Sequence, residues 1–410
     1  MRILSPSERT YAWGSRVAIP SLAGEQTPAP YPIAERWFGA HPTGPALLDG
    51  TGLDSAITAD PVSMLGEEVA AEFSERLPFM VKLLAADRAL SLQAHPSRED
   101  AREGFAREND AGLALEAADR NYRDANHKPE LIVALTHFRA LAGFRPVDRT
   151  VELLDVIDAE KLAPYREMLA AQPDSEGLRA VFTSFITLPR AVGATLVDSV
   201  VSKLVALFEA GEMPAELAPT AKGILELAEQ YPGDSGILGA LLLNLVELDP
   251  GEGIYMGAGS LHAYLSGMGV EVMANSDNVL RGGLTSKHID VPELLRILDF
   301  EPTPQPVISA APEVPPAAEP ADAVDAMMYP VPVTEFHVSR ITTTAPARVS
   351  FADEGPQIII CTRGRAGQLG PAAGAWISAD AGDGNLELDA DTEIFRVRVP
   401  VRANDPRRRV

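Results

Sequence analysis

The sequence predicts a mostly β protein interrupted by a block of helices, with a second, smaller β unit at its C-terminal end. Residues 1–148 are short apolar runs such as LPFMVKLLA, ALSLQAHP and PELIVALTHFRALAGF, bounded by Pro, Gly, Asn and Asp; runs of that length and punctuation read as strands. From 149 to 245 the period changes. VELLDVI, LRAVFTSFITL, ATLVDSVVSKLVALFEAG and SGILGALLLNLVEL space apolar residues three and four apart, which predicts several helices inserted between sheet segments. Strand character returns over 246–300 with GEGIYMGAGSLHAYLSGMGVEVMANSDN.

Within 246–300 one helix is expected at VPELLRIL, capped by Asp290 with Pro292 in its first turn. Residues 301–325, EPTPQPVISAAPEVPPAAEPADAVD, are Pro- and Ala-rich and acidic, a composition that predicts an extended linker without a packed core of its own. The remainder, 326–410, alternates in FHVSRITTT, PQIIICTRG and EIFRVRVPV and reads as a small all-β unit. A chain of 410 residues exceeds what one core usually organises, which favours two or three domains.

Composition narrows the function classes. No uninterrupted apolar stretch approaches the roughly 20 residues needed to span a bilayer, and the N-terminus MRILSPSERTYAWGS has no signal-peptide core, so a cytoplasmic protein without a membrane partner is expected. Cys361 is the only cysteine, which rules out an internal disulfide and a cysteine-built metal site. With 58 acidic against 35 basic residues the formal charge is −23, and such a surface repels nucleic acid. An anionic small substrate requires a local basic pocket set against that field. Nothing in the sequence requires more than a monomer.

Four segments carry residues suited to chemistry. In SLQAHP the side-chain period of a strand puts Ser91, Gln93 and His95 on one face and packs Leu92 and Ala94 on the other; the row faces either a ligand cavity or plain water. In NHKPEL, Lys128 and Glu130 share a face behind Pro129, which suits a strand start, although two such charges also make an ordinary solvated pair. GEGIYMGAGSLHAYL places Gly251, Gly257, Gly259 and His262 in a spacing that resembles the second conserved motif of cupins, with Gly257 where cupins usually carry proline. Read without that likeness, His262 is a core histidine. Gln93, His95, Glu130 and His262 together offer two imidazoles, one carboxylate and one amide oxygen, a donor set that suits zinc and leaves a net +1 Lewis-acidic site; it does not separate zinc from manganese or iron(II). In GMGVEVMANSDNVLRGGLTSKHID, Glu271 interrupts a valine run, and Asp277, Arg281 and Lys287 crowd a Gly-rich turn that also reads as a surface loop. Lys82 lies inside the apolar run PFMVKLL, from which a lysine can snorkel to water.

The blocks YAWGS, AERWFGAHPTGP, SLQAHPS, HKPEL, GSLHAYL and SDNVLRGGLTSKHID, in that order from Tyr11 to about Phe300, resemble the successive signatures of the type I mannose-6-phosphate isomerase family. The resemblance implies a cupin (jelly-roll) barrel as catalytic domain over 1–148 and 246–300, the helical insertion over 149–245, and a cupin-like C-terminal β unit. It implies one zinc ion per chain held by Gln93, His95, Glu130 and His262. It also implies a sugar-phosphate pocket formed by Ser91, Lys82, Lys128, Arg281, Tyr264 and Lys287, with Glu271 and Asp277 beside it. The implied reaction converts mannose 6-phosphate to fructose 6-phosphate through a cis-enediol and feeds mannose activation toward GDP-mannose. Lys128, Glu271 and a metal-bound water compete as proton carrier; Arg281 is assigned to oxyanion or phosphate stabilisation and Asp277 to ring opening. A non-catalytic sugar-phosphate-binding cupin and an iron-dependent oxygenase are the alternatives.

Overall fold

In a computed structural model the described residues are 1–400, apart from 305, 352–354 and 383. Its centre is strand Phe79–Ala86, buried along its whole length, which explains why that run reads as continuously apolar except for Lys82. On one side it pairs with Glu35–Gly39, and on the other with the 13-residue strand His262–Ala274. That long strand serves two sets of neighbours. From Gly267 onward it lies between Phe79–Ala86 and Glu130–Ala134, whereas its first residues pair with Phe138–Phe144 and Leu92–Ala94. The change of partners falls at Gly267, with φ of +114°, where an added Cβ would lie 2.6 Å from the His137 carbonyl oxygen. Only glycine fits there. Leu280–Gly283 extends the smaller arm by pairing with Leu92–Ala94. The long strand therefore delivers His262 to one arm of the sheet and Glu271 to the other.

A second, nine-stranded sheet is built mostly from residues after 310, but it takes in the N-terminal strand Arg2–Ser5, which pairs with Gly374–Ile377, and the hairpin Leu47–Leu48/Thr51–Gly52. The two sheets share one apolar cluster: Val81, Leu83, Leu131, Val133, Val270 and Val272 of the first pack with Phe336, Val338, Ile358, Trp376 and Phe395 of the second. Within residues 301–325, expected as a bare connection, three short segments form edge strands, one in each of three sheets. Val307–Ile308 pairs with Gly253–Met256, Ala311–Pro312 with Val324–Met328, and Ala317–Glu319 with Ala347–Ser350; Pro312 is tolerated because its strand is a sheet edge. The helix expected near 291 is Val291–Ile297, with Asp290 accepting the Glu293 N–H and Pro292 in its first turn.

Helices run from Val147–Ile157 to Gly236–Ala240 and bury Leu153, Phe182, Phe185, Val200 and Leu204 in a core that continues into Leu92, Leu141, Phe144 and Leu280 of the first sheet. One of them, Arg190–Ala210, has a mean hydropathy of 1.7 over a window long enough to cross a membrane by length and composition. It packs Gly193, Leu196, Val197, Val200 and Leu204 inward and exposes Arg190, Asp198, Lys203 and Glu209. That outer face also exposes Val192 and Val205.

Candidate active site

Three acceptors converge where the arms of the first sheet meet. His95 directly follows strand Leu92–Ala94, Glu130 opens strand Glu130–Ala134, and His262 opens the long strand opposite Gln93. Ligating atoms of His95, Glu130 and His262 lie within 4.8 Å of one another, and all three residues are buried. The tautomers follow from the partners. His95 Nδ1 lies 2.8 Å from the Asn278 carbonyl and His262 Nδ1 lies 3.0 Å from the Ser260 carbonyl. A carbonyl only accepts, so each Nδ1 carries the hydrogen and each Nε2 presents a lone pair. Those lone pairs face the Glu130 carboxylate, His95 Nε2 at 3.3 Å from Oε1 and His262 Nε2 at 3.5 Å from Oε2.

Burial pulls the His95 imidazole down to about 4, so it does not supply a proton at neutral pH, and its Nε2 has no hydrogen-bond partner among the described residues. Burial alone would raise Glu130, but Lys128 and His95 outweigh it and hold the carboxyl well below its usual range. Buried lone pairs aimed at a carboxylate with no hydrogen between them fit a cation, and backbone carbonyls fixing the far side of each imidazole are the usual outer support of a metal-bound histidine. Gln93 donates to Ser91 Oγ at 3.2 Å through its Nε2, leaving its Oε1 as a further oxygen donor. Gly259 braces the arrangement: its N–H donates to the His95 carbonyl at 2.9 Å, and at φ of +75° its missing Cβ would meet the Ile297 carbonyl at 2.7 Å.

Above this cluster opens a cavity of about 460 Å³ lined by Ser91, Gln93, Glu130, His262 and, on its walls, Lys82, Lys128, Tyr264, Glu271, Arg281 and Lys287. Lys128 Nζ stands 3.0 Å from Glu130 Oε1. Lys82 is held between two acids, 2.8 Å from Glu271 and 3.6 Å from Glu35, in a lateral row fixed by the register of Trp37, Lys82 and Glu271 on three adjacent strands. Lys82, expected as a phosphate contact, lines the cavity wall while its charge is paired with these two carboxylates. Burial raises Glu271, an effect that Lys82 opposes. Burial likewise drives Tyr264 well above the usual phenol range, with Glu271 adding to it. Burial lowers Arg281, and burial followed by the charge of Arg281 lowers Lys287; Arg123 acts on both. Arg281 and Lys287 thus place positive charge on the cavity wall, with Arg123 near enough to act on both.

Asp277 is placed differently from the expectation that it lines the pocket. It is absent from the cavity wall; its carboxylate lies 3.3 Å from His41 Nε2, and its N–H donates to Asp124 at 2.8 Å. Several wall residues escape sequence reasoning. Glu35 and Tyr11 sit in blocks that are visible as motifs, and Glu35 also accepts the Trp37 indole N–H at 2.8 Å. Tyr231 comes from the end of helix Ala218–Gln230 and donates to the Ala89 carbonyl at 2.6 Å; nothing local marks it as a wall residue.

Comparison with known proteins places this geometry among relatives. Residues 1–147 match the family described as phosphomannose isomerase type I, catalytic domain. The chain is 37% identical over 393 residues to the mannose-6-phosphate isomerase of Escherichia coli, covering 93% of this chain and 95% of that protein. It is 33% identical over 427 residues to that of Bos taurus, covering 97% and 95%. A crystal structure of mannose 6-phosphate isomerase bound with zinc and yttrium superposes with a TM-score of 0.85 at 36% identity, over 98% of this chain and all of that one. A zinc-bound holo structure of mannose 6-phosphate isomerase superposes equally well at 35% identity, over 98% and 99%.

Proposed function

Because this chain belongs to the type I mannose-6-phosphate isomerase family and is an aldose–ketose isomerase, we propose that it interconverts mannose 6-phosphate and fructose 6-phosphate at a zinc centre made by Gln93, His95, Glu130 and His262. The observation that carries this reading is the convergence of two imidazole lone pairs on the Glu130 carboxylate at the floor of a cavity whose walls hold Arg281, Lys287 and Lys128. We further read 1–148 with 246–300 as a cupin barrel, 149–245 as its helical insertion, and 326–410 as a second β unit. On the same reading the protein is a cytoplasmic monomer whose product serves mannose activation toward GDP-mannose.

Bound at that floor, zinc supplies Lewis acidity toward the oxygens of the reacting carbons. The protein must do the rest. In the aldose-to-ketose direction a base takes the proton from C2, the C2–H electrons form the C1–C2 double bond, and the C1 carbonyl π pair moves onto O1, which takes a proton to give the enediol; the C2 hydroxyl then loses its proton to become the carbonyl as C1 gains one. Two buried groups are suited to carry that proton. Glu271 is a carboxyl raised by burial and kept in place by Lys82, and Lys128 stands beside the ligand Glu130. Arg281 retains its proton and offsets negative charge developing on oxygen, with Lys287 and Arg123 available to the phosphate.

The test uses the purified full chain with mannose 6-phosphate and a coupled readout of fructose 6-phosphate. Turnover lost to a chelator and restored by zinc is the expected result; absence of turnover at full zinc occupancy rejects the proposal, and calorimetric binding without product identifies a sugar-phosphate-binding protein instead. Glu271→Gln and Lys128→Met at full occupancy assign the proton carrier, as the variant that abolishes exchange of the substrate C2 hydrogen with solvent.

A further inference from the structure

Beyond the apolar core that the two sheets share, a buried carboxylate of the C-terminal β unit reaches the segments that flank the metal ligands. Glu335 lies in the turn before strand His337–Thr343 and is 2% exposed. The guanidinium of Arg98 donates to its Oε1, and His127 Nε2 lies 2.7 Å from the same oxygen; Arg98 and His127 are themselves 2.7 Å apart. These two partners occupy telling places. Arg98 begins helix Arg98–Asp110, three residues after His95, and His127 immediately precedes Lys128, three residues before Glu130. One carboxylate thus grips, from more than two hundred residues away, the two segments that carry two of the three clustered ligands. Its base is rigid: Val331 and Phe336 on either side are buried in the core shared by both sheets, and Glu335 Oε2 accepts the Thr334 N–H at 3.2 Å.

We propose that Glu335 is a positioning residue for the metal centre, fixing Glu130 and Lys128 relative to His95, so that the C-terminal unit sets metal affinity and the placement of Lys128. The inference rests on the metal-centre reading given above. Outer-sphere contacts that orient ligands are commonly worth about 10- to 100-fold in affinity or activity. A group that ties two ligand segments without touching a ligand belongs at the lower end of that range.

The experiment removes the charge at constant size with Glu335→Gln and measures the zinc dissociation constant of the full chain by competition with a chromophoric chelator, alongside kcat and KM. Glu393→Gln is the matched control: it removes a buried carboxylate of the same unit that binds Arg340 and Thr362, remote from the ligand segments in sequence and contacts. The expected result is zinc binding about 10-fold weaker in Glu335→Gln, with kcat at saturating zinc reduced and KM little changed, while Glu393→Gln loses thermal stability and keeps its zinc affinity. Should Glu335→Gln fold poorly, His127→Gln tests the same clamp from the other side and is expected to weaken zinc in the same direction. Zinc affinity within twofold of the unsubstituted chain in the folded variant, or equal weakening in the Glu393 control, overturns the proposal. Failure of the unsubstituted chain to bind zinc would instead overturn the metal-centre reading itself, and the clamp with it.

Discussion

Replacing Lys82 by methionine removes the cation from the row formed by Glu35, Lys82 and Glu271 while nearly preserving its volume. All three side chains are almost fully enclosed; the lysine nitrogen lies 2.8 Å from one carboxylate, 3.6 Å from the other and 5.4 Å from the Trp37 ring centre. Breaking a buried pair by deleting one partner costs about 3–5 kcal/mol, because the surviving charge is left without compensation. Over a chain of 410 residues, with an unfolding entropy of about 2.1 cal/mol/K per residue, a loss of 3–4 kcal/mol lowers Tm by about 4 °C. The pH dependence gives the sign. Burial already raises Glu271 and Lys82 opposes it, so removing Lys82 raises the folded-state value further. An acid raised on folding favours the folded state fully below its unfolded value, and that advantage fades as pH climbs through the folded value. The Lys82→Met deficit is therefore smallest near pH 4.5 and largest near pH 8. Denaturant titrations of chelated protein at both pH values measure it without interference from metal loss, and Lys82→Met combined with Glu271→Gln is expected to recover much of the loss at pH 8. An equal deficit at both pH values, or a double variant no more stable than the single one, refutes the reasoning.

Glu130→Gln removes the only anionic ligand from the cluster, and metal analysis and kinetics on one preparation are expected to show zinc and turnover lost together, whereas an Arg281 variant keeps its metal. Asn278→Ala strips a fully buried amide that accepts from the Arg123 N–H at 2.7 Å and donates to the Asp124 and Asn126 carbonyls at 2.8 Å each; with those groups left unpaired, about 2–4 kcal/mol of stability should disappear, and zinc should bind more weakly because the backbone carbonyl at 278, which orients His95, loses the side-chain bonds that anchor it. The pH dependence of the metal-free protein carries a further sign: His95 is lowered from 6.5 to about 4 by burial, so the unfolded chain takes up the extra proton, and stability falls as pH drops from about 6.5 toward 4, by about 3 kcal/mol at full effect. A His95→Asn variant should flatten that slope in calorimetry; an unchanged slope would show that His95 is not the titrating group.

Much of the site was legible because its signals are local. Alternation alone put Ser91, Gln93 and His95 on one face and paired Lys128 with Glu130 across a proline, and in the structure these residues gather at one cavity floor and its rim. An acid inside a valine run and a lysine inside an apolar strand each asked for a partner; they turned out to be each other's, directly opposite in register. What alternation does not carry is the row's third member. Glu35 lies one strand further out, and only the pairing of Glu35–Gly39 with Phe79–Ala86 brings it beside Lys82.

The parts that escaped share a cause: their partners are far away in sequence. Arg2–Ser5 reads as an N-terminal strand but gives no hint that it pairs with Gly374–Ile377. The Pro-rich stretch was read by composition, which reports that it has no core but not that its backbone edges find strands in three sheets. The same division runs through the metal centre. Donor identity is local and visible, whereas donor orientation depends on the Asn278 and Ser260 carbonyls behind the imidazoles and on the grip of Glu335 upon the flanking segments. A substitution at a ligand tests what the sequence displays; one at Asn278 or Glu335 tests whether the fold, through groups that never face the cavity, holds those ligands in register.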